Sequence, residues 1–390
     1  MNYHLFADSN FQFEIYSNCS LQTPSAYFGT EPVDGSFFFG YYDRTPWSPD
    51  MSRAVFHRID SAADTVDIVT FESDRCRSIA TSKAWNYQQG SLTRWLPESN
   101  TDIIFNDVRE GTLRSRIVDV RSGTTRWLPY PFQTIHPTES IALTINYQRF
   151  DDFRPDYGYP SISVSSELPD HEGIWRFDTD DSSIEELVSI DELIESGAGE
   201  TLAPERHKIN HLAYAPDGSK FAFMHRWQGE SGRQSRLYVA NANGSDRRLL
   251  LDEGVVSHYC WTDSSTLLVW GNSQTYGEDY YLIDVESGTL DHLSELSGVG
   301  DGHPSISPDG RWIVTDTYPD REARRHLLLY DLELDALLEV GAFYSPLRFD
   351  GRARCDLHPR WSPDGRFVSF DSTHTGQRGS YLLDVSDIVT

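Results

Sequence analysis

The chain has 390 residues, 38% of them hydrophobic, and no stretch approaches the roughly 18 consecutive apolar residues that a membrane helix needs. Its length suggests two or three domains, although large all-β architectures run longer as one unit. The segment Met1–Asn10 lacks a basic stretch followed by an apolar one, so we expect no secretory signal and a cytoplasmic protein. The four cysteines include no CxxC pair, which argues against a disulfide framework or a zinc ribbon.

The charge is strongly acidic and its cations are almost all arginine. Sixty Asp and Glu oppose 33 Lys and Arg, so the net charge is −27, and only three of the cations are lysine. This charge disfavours binding to nucleic acid or to an anionic membrane. An acidic, lysine-poor surface is typical of proteins adapted to high salt, where screening weakens self-repulsion. We therefore expect a halophilic protein with neither of those partners.

One short motif recurs along the chain: an aromatic residue or Ile, a small residue, Pro-Asp-Gly, and then an apolar strand. Proline sets φ, aspartate bonds to nearby backbone and glycine accepts a positive φ, so each copy predicts a turn that leads into a strand. In the four clear copies the proline is Pro49, Pro216, Pro308 or Pro363. In the three degenerate copies the same position holds Pro97, Pro137 or, in place of proline, Asp263.

The spacing of these copies predicts the fold. Successive copies lie 48, 40, 79, 47, 45 and 55 residues apart, and periods of about 40 to 55 residues are typical of propeller blades with four short strands. Seven copies predict an all-β, seven-bladed β-propeller in one domain, 1–390. We expect an insertion near 151–204 with a helical run at Ser182–Glu195, and an outer strand from residues 1–40 that closes the ring. The motif resembles the TolB-like family of propeller repeats.

Histidine occupies one position of this repeat in four successive copies, three residues before the aromatic residue or Ile. Equivalent positions of propeller blades lie at equivalent places, so if this position faces the axis, the four imidazoles surround one end of the central channel. Neutral imidazole binds metals and titrates near neutrality, which favours a metal or acid–base site. The alternative is that each histidine bonds to a neighbouring blade. The four are His211, His258, His303 and His358.

Two of these histidines follow an aspartate by two residues. Asp356 and His358 lie on the same side of an extended chain, and Asp301 and His303 repeat the pattern one blade earlier. Such carboxylate–imidazole pairs form a mixed nitrogen and oxygen set suited to a divalent first-row metal. We predict metal ligands at His303, Asp356 and His358, whereas Asp301 either contributes or only caps a turn.

Polar and aromatic residues also collect near the ends of the predicted core strands. Aromatic faces with arginine and amide groups are typical of a carbohydrate cleft, because sugars stack on rings and guanidinium forks bind carboxylates. Blade packing is the alternative for each aromatic residue. The predicted substrate-binding residues are Arg44, Trp85, Gln89 and Arg109.

These segments resemble the oligogalacturonate lyase family of seven-bladed propeller polysaccharide lyases. Asp301-Gly302-His303 and His358-Pro359 match two parts of that family's metal site. The resemblance implies a polysaccharide lyase that binds a divalent metal, with Mn, Zn and Ca as candidates, and acts on an acidic, uronate-containing oligosaccharide.

Other segments match the family in part. His211 matches an early histidine, and His225 ends a phenylalanine-rich strand as in the family, but Arg226 stands where the family has an acidic residue. Ala353 and Asp356 stand where the family has Gln and His.

The implied reaction assigns roles to the candidate residues. A metal or an arginine neutralises the uronate carboxylate, a neutral histidine removes the C5 proton, and a tyrosine or water protonates the leaving oxygen. The alternatives are a non-catalytic propeller that binds glycan or protein partners, and a glycan hydrolase of a surface-polysaccharide or glycosylation pathway, for which no carboxylate pair stands out. The predicted catalytic residues are His211, His225, Arg226, His258, Tyr147 and Arg149.

The acidic composition leads to a first testable expectation. Molar KCl should raise the melting temperature, because screening reduces repulsion among 27 excess negative charges. Thermal unfolding followed by circular dichroism at low and at molar KCl checks this, and equal midpoints would contradict the halophilic interpretation.

Overall fold

The computed structural model describes residues 3–4, 13–16, 19–59, 64–159, 168, 172–196, 207–229 and 232–389, with only the backbone path described for 3–4 and 13–16. No helix in these ranges is long and apolar enough to cross a membrane.

Three short strands and one helix precede the first complete sheet. The helix starts with Pro24 after Thr23, whose hydroxyl accepts a hydrogen bond from Ala26 N, as expected for an N-cap followed by proline. These elements are β1 (Tyr3–His4), β2 (Phe13–Tyr16), β3 (Ser20–Gln22) and α1 (Pro24–Phe28).

The first three sheets follow in chain order and each has four strands. The first contains β4 (Ser36–Phe38), β5 (Arg53–Ile59), β6 (Val66–Glu72) and β7 (Arg75–Ser82). The second contains β8 (Arg94–Trp95), β9 (Asp102–Arg109), β10 (Thr112–Asp119) and β11 (Thr125–Leu128). The third contains β12 (Thr134–Ile135), β13 (Ile141–Thr144), β14 (Gly173–Asp178) and β15 (Ile184–Ser189).

The fourth and fifth sheets also have four strands each. The fourth contains β16 (His207–Tyr214), β17 (Lys220–Gly229), β18 (Gly232–Asn241) and β19 (Arg248–Leu251). The fifth contains β20 (Val256–Trp261), β21 (Thr266–Ser273), β22 (Gly277–Asp284) and β23 (Leu290–His292).

The last two sheets both take strands from the N-terminal segment. The sixth contains β24 (Ser305–Ile306), β25 (Trp312–Asp316), β26 (Arg324–Asp331) and β27 (Ala336–Tyr344), extended by β2 and β1. The seventh contains β28 (Arg360–Trp361), β29 (Phe367–Ser372) and β30 (Gly379–Asp384), and β3 pairs with β30 as its fourth strand. The seven sheets confirm the predicted all-β, seven-bladed propeller class.

Two compact units divide the chain. One consists of Met1–Ile104, Val118–Thr125 and Glu295–Thr390, and the other of Phe105–Ile117 and Arg126–Ser294. The assignment of 1–390 to a single domain stays a prediction.

Each unit has an apolar core built from alternate residues of neighbouring strands. In the first unit, Val314, Leu327 and Leu329 pack with Val368 and Phe370. The second unit has a similar cluster between its fourth and fifth sheets, which includes Ala222, Met224, Val239, Val269 and Tyr281. Strands such as β25 and β29 are buried at every residue, so both of their faces pack against other parts of the protein.

The repeated turns have the conformation that their residues predict. In the sixth sheet, Ser307 Oγ donates to Asp309 Oδ1, which also accepts from Arg311 N, and Gly310 has a φ of 77°. In the seventh sheet, Ser362 Oγ donates to Asp364 Oδ1 at 2.6 Å. The turn chemistry therefore sets the start of β25 and of β29.

The helical prediction at Ser182–Glu195 is wrong in its first half. Residues Ile184–Ser189 form β15, which pairs with β14, and only Ile190–Glu195 form a helix, α3, capped by Ser189. Pairing along the edge of the third sheet therefore overrides local helix preference.

The expected insertion at 151–204 is also placed too broadly, because β14 and β15 belong to the third sheet. The additional residues lie between β13 and β14 and include a helix, α2 (Tyr147–Phe153). Residues 160–167, 169–171 and 197–206 lie outside the described residues.

A buried carboxylate ties the seventh sheet to the segment before the first repeat turn. Asp371 accepts hydrogen bonds from Phe39 N at 3.0 Å, Gly40 N at 3.0 Å, Arg360 Nη2 at 2.7 Å and Ser380 Oγ at 2.7 Å. Arg360 also donates to Gly40 O at 2.8 Å. Asp371 therefore satisfies a buried guanidinium and two backbone amides at once.

Replacing Asp371 by alanine should destabilise the protein by about 3–5 kcal/mol, because the buried Arg360 would lose its counter-charge. Urea unfolding measures this, and Ser380→Ala, which removes one hydrogen bond, should cost about 1 kcal/mol. Equal losses of stability in the two variants would show that the ion pair between Asp371 and Arg360 contributes no more than a single hydrogen bond.

Candidate functional site

The three predicted metal ligands lie together in the first unit. His303 precedes β24, and Asp356 and His358 precede β28; all three are at most 2% exposed. One nitrogen from each histidine and one carboxylate oxygen of Asp356 lie within 4.8 Å of one another. The cluster therefore offers two nitrogen donors and one anionic oxygen donor, a set that suits divalent first-row metals.

Asp316, the last residue of β25, holds both histidines and is fully buried. Its Oδ1 accepts hydrogen bonds from His303 N and His303 Nδ1, both at 2.8 Å, and its Oδ2 accepts from His358 N at 3.1 Å. Because Nδ1 of His303 carries the proton, Nε2 is left with the lone pair that can bind a metal. Burial alone would lower the pKa of His303, but the charge and the hydrogen bond of Asp316 raise it.

Two arginines hold Asp356 in place. Arg325 Nη1 lies 2.7 Å from Asp356 Oδ1, and Arg354 Nε donates to Asp356 Oδ2 at 2.8 Å. Burial alone would raise the pKa of Asp356, but Arg325 and Arg354 outweigh it and hold the pKa well below its usual range. The carboxylate is therefore ionised at neutral pH, as a metal ligand must be.

Two tyrosine rings cover the histidines. The Tyr41 ring centroid lies 5.1 Å from that of His358, and the Tyr42 centroid lies 5.4 Å from that of His303. The two imidazole rings are 4.3 Å apart and nearly perpendicular, at 89°. The tyrosines are buried, so they shield this side of the cluster from solvent.

His358 has an unusual backbone conformation. Its φ is 46°, and His211, at the same position of an earlier repeat, has a φ of 53°. Residues other than glycine rarely adopt this left-handed region, and such strain concentrates at functional sites. At His358 the hydrogen bond from its backbone N to Asp316 helps to hold the conformation.

The remaining two histidines of the series lie in the second unit. The His211 ring stacks on Tyr259 with centroids 4.3 Å apart, and Tyr259 Oη donates to His211 O. His258 lies on β20 and is buried. Because the two pairs of histidines belong to different compact units, the convergence of all four around one channel mouth stays a prediction.

His225 lies in the middle of β17, which continues to Gly229 instead of ending near His225. It forms a pair with His207, which the sequence analysis missed. Its Nε2 lies 2.9 Å from Nδ1 of His207, and the Trp227 ring lies beside both imidazoles. Burial, together with nearby cations, lowers the pKa of His207 to about 4 and that of His225 to about 3. Both imidazoles are neutral at pH 7.

The other predicted catalytic residues of the second unit form hydrogen bonds within the protein. Arg226 Nη2 donates to Val256 O at 3.0 Å and to Ser257 O at 2.9 Å. Tyr147 Oη donates to Phe132 O at 2.7 Å. Arg149 lies in the first turn of α2, where its backbone N bonds to the N-cap residue Asn146. Their catalytic roles stay predictions.

Three predicted substrate-binding residues, Arg44, Trp85 and Gln89, lie in the unit that holds the metal-ligand cluster, and Arg109 lies in the other. The backbone of Gln89 packs so closely on Gly40, whose φ is 120°, that a Cβ there would lie 2.7 Å from the Gln89 carbonyl carbon. Only glycine fits at that position. Arg109 lies over the Trp127 ring at 5.5 Å.

The sequence analysis missed Asp316 and Arg325. For Asp316 the available signal was an aspartate at the end of the apolar strand Trp312–Asp316. Arg325 carries no local signal, because its contact with Asp356 joins two different segments. Gln88, next to the predicted Gln89, donates from Nε2 to Arg354 O at 2.7 Å.

Comparisons with known proteins agree on the fold. No protein-family model matches the chain. An uncharacterized protein of Agrobacterium fabrum is 26% identical over 166 residues, which are 42% of this chain and 52% of that protein. The chain therefore spans about half the length of the curated relative that it matches.

Solved structures cover nearly the whole chain. Oligogalacturonate lyase from Vibrio parahaemolyticus has a TM-score of 0.66 at 14% identity over 98% of this chain and 96% of that one. An oligogalacturonate lyase in complex with manganese has a TM-score of 0.67 with the same identity and coverage. A puromycin-hydrolyzing peptidase of Mycobacterium tuberculosis reaches 0.55 at 12% identity, over 90% of this chain and 56% of that one. The resemblance to oligogalacturonate lyases is thus confirmed at the level of the fold.

The neutral pair His207 and His225 makes stability depend on pH. Their folded pKa values, about 4 and about 3, lie below the unfolded value of about 6.5, so below pH 6.5 the unfolded chain binds protons that the folded chain does not. Stability should therefore fall as the pH falls from 6.5 to 5, and less steeply in His225→Gln.

Urea midpoints at several pH values measure this slope. His326 serves as a control of opposite sign, because its hydrogen bond to Glu339 helps to raise its pKa. Protonated His326 stabilises the fold, and this contribution is complete below the unfolded pKa of about 6.5 and is lost as the pH rises above it. His326→Gln should therefore change the pH dependence of stability above pH 6.5 and leave the slope between 6.5 and 5 nearly unchanged. An unchanged slope in His225→Gln would contradict the assignment of a neutral pair.

Proposed function

We propose that this protein is a lyase that cleaves a uronate-containing oligosaccharide by β-elimination with the help of a divalent cation. The observation that carries the proposal is the cluster of His303, Asp356 and His358, with its donor atoms within 4.8 Å of one another. The fold shared with oligogalacturonate lyases, one of which is in complex with manganese, supports it.

The donor set fits a divalent cation. His303 is oriented through Nδ1 by Asp316, the arrangement in which metal-binding histidines are commonly held by a carboxylate. His303, Asp356 and His358 would hold the cation, which when bound would neutralise the substrate carboxylate and acidify the adjacent C5 proton. Arg325 and Arg354 keep Asp356 ionised and aligned.

Removal of the C5 proton needs a neutral base near the substrate. His225 is neutral, but its low pKa makes it a weak base and its Nε2 is bonded to His207. His211 and His258 are therefore the preferred candidates for the base. Tyr147 carries a hydroxyl that can protonate a leaving oxygen, and Arg226 and Arg149 are the cations proposed to bind substrate carboxylates.

A second function is favoured by one observation. Both oxygens of Asp356 already contact arginines, so the charges of the cluster are balanced without a cation. In a non-catalytic propeller that binds glycan or protein partners, the same residues would form a structural network between the sixth and seventh sheets.

Metal analysis separates these two functions. His358→Asn should lower the affinity for Mn²⁺ by at least about tenfold, judged from the losses that accompany even indirect changes at metal sites, and should abolish elimination. Asparagine tolerates the positive φ at this position, so the fold should persist. Titration calorimetry with Mn²⁺ and the ultraviolet absorbance of the unsaturated uronate product are the measurements.

The matched control is His326→Asn, because His326 lies in the same unit and bonds to Glu339 and Asp320 outside the cluster. It should leave Mn²⁺ affinity unchanged. A His358→Asn protein with full Mn²⁺ affinity would show that the cation site lies elsewhere.

A further inference from the structure

Arg44 occupies the same position in its repeat as the clustered histidines. It lies three residues before Trp47, as His303 lies three before Ile306 and His358 three before Trp361. The Arg44 side chain is buried, with 8% of the residue exposed. A large cation thus stands at the repeat position where two other sheets place a candidate metal ligand.

The guanidinium of Arg44 has few partners. Its Nε lies 2.9 Å from Asp43 Oδ1 without the geometry of a hydrogen bond, and its buried Nη2 makes no hydrogen bond to any residue that the structure describes. Buried charged groups are normally paired and hydrogen-bonded. The Nη2 group of Arg44 can therefore donate a hydrogen bond to an acceptor on a ligand.

A second cation, Arg94, lies near the first, because the next residue, Trp95, donates from Nε1 to Pro46 O at 2.7 Å and so places β8 beside the segment that follows Arg44. It is partly buried, its Nε is fully buried, and that Nε makes no hydrogen bond within the described residues. Burial, with the neighbouring charge of Arg44 and against that of Asp43, lowers the pKa of Arg94 to about 10. Guanidinium groups carry a positive charge in proteins, so Arg44 and Arg94 are two cations near the one carboxylate of Asp43.

The segment 40–44 connects these cations to the candidate metal site. Tyr41 and Tyr42 in this segment pack on His358 and His303, and Arg360 holds the segment through Gly40 O at 2.8 Å. Arg44 therefore follows directly on the segment that packs on the histidine rings. In a chain with a net charge of −27, such a local excess of buried positive charge is a feature that attracts anions.

We propose that Arg44 and Arg94 form an anion-binding subsite that takes a carboxylate of the oligosaccharide, next to the cluster of His303, Asp356 and His358. The identity of the carboxylate as that of a uronate rests on the proposed function. A carboxylate presents two acceptor oxygens, which match the free guanidinium donors and offset the surplus charge. The subsite would bind a second uronate of the chain and so favour oligomers over single sugars.

The test uses Arg94→Met, which removes the charge and keeps the length of the side chain. Calorimetry measures binding of trigalacturonate, and separately of sodium acetate, to the full chain in low salt without added metal. Arg94→Met should bind both probes about 10- to 100-fold more weakly, the loss expected for charge-assisted hydrogen bonds. Its melting temperature without ligand should equal or exceed that of the wild type, because repulsion with Arg44 is removed.

Arg58→Met is the matched control, since Arg58 is ion-paired with Asp67 in the first sheet and should leave binding unchanged. Arg94→Met with wild-type affinity for both probes, or a wild type that binds neither, would overturn the subsite. A lower melting temperature of Arg94→Met without ligand would also overturn it, because Arg94 would then be structural.

The two proposals fail in different ways. Binding of trigalacturonate that depends on Arg94, without any unsaturated product from the metal-loaded wild type, would support the subsite and overturn the lyase function. Loss of acetate binding alone, with the affinity for trigalacturonate unchanged, would overturn the subsite, because the carboxylates of the oligosaccharide would then bind without Arg94. Elimination at the same rate and affinity in wild type and Arg94→Met would retain the lyase function and overturn the subsite.

Discussion

The carboxylate of Asp316 is the group on which the candidate site depends. It accepts three N–H groups, two from His303 and one from His358, and so joins the segments that precede β24 and β28. One buried anion thereby sets the tautomer of one histidine and supports the left-handed backbone of the other. Without Asp316, no shared hydrogen-bond acceptor would hold His303 and His358 together, and these residues belong to segments of different sheets.

Buried arginines give the first unit its electrostatic character. Asp356 is matched by Arg325 and Arg354, and Asp371 by Arg360. A lone buried charge is costly, so each of these carboxylates is retained only with its partners. At Arg44 and Arg94 the balance is different, since two cations face one carboxylate. The interior of this acidic protein therefore holds local positive charge, which is what an acidic oligosaccharide would need.

The repeat could be recognised from the sequence because each turn is specified by a few consecutive residues. Three copies contain Pro-Asp-Gly and four contain a variant of it. Because each copy predicts a turn before a strand, the seven copies predicted seven sheets. The helical prediction at Ser182–Glu195 failed because residues Ile184–Ser189 pair with the preceding strand, β14, as the edge strand of the third sheet. The sequence analysis did not predict α2, although its first residue follows Asn146, a favourable N-cap residue.

By itself, the sequence determined the all-β repeat and singled out His303, Asp356 and His358. The repeat and these three residues were both recognised from fixed spacings within short segments. Tertiary structure alone decided that Asp316 orients His303, that Arg325 balances Asp356, and that Arg94 stands near Arg44. These contacts join residues that are 13, 31 and 50 positions apart in the chain. Local periodicity carries no information about such distances; only the packing of sheets brings these side chains together.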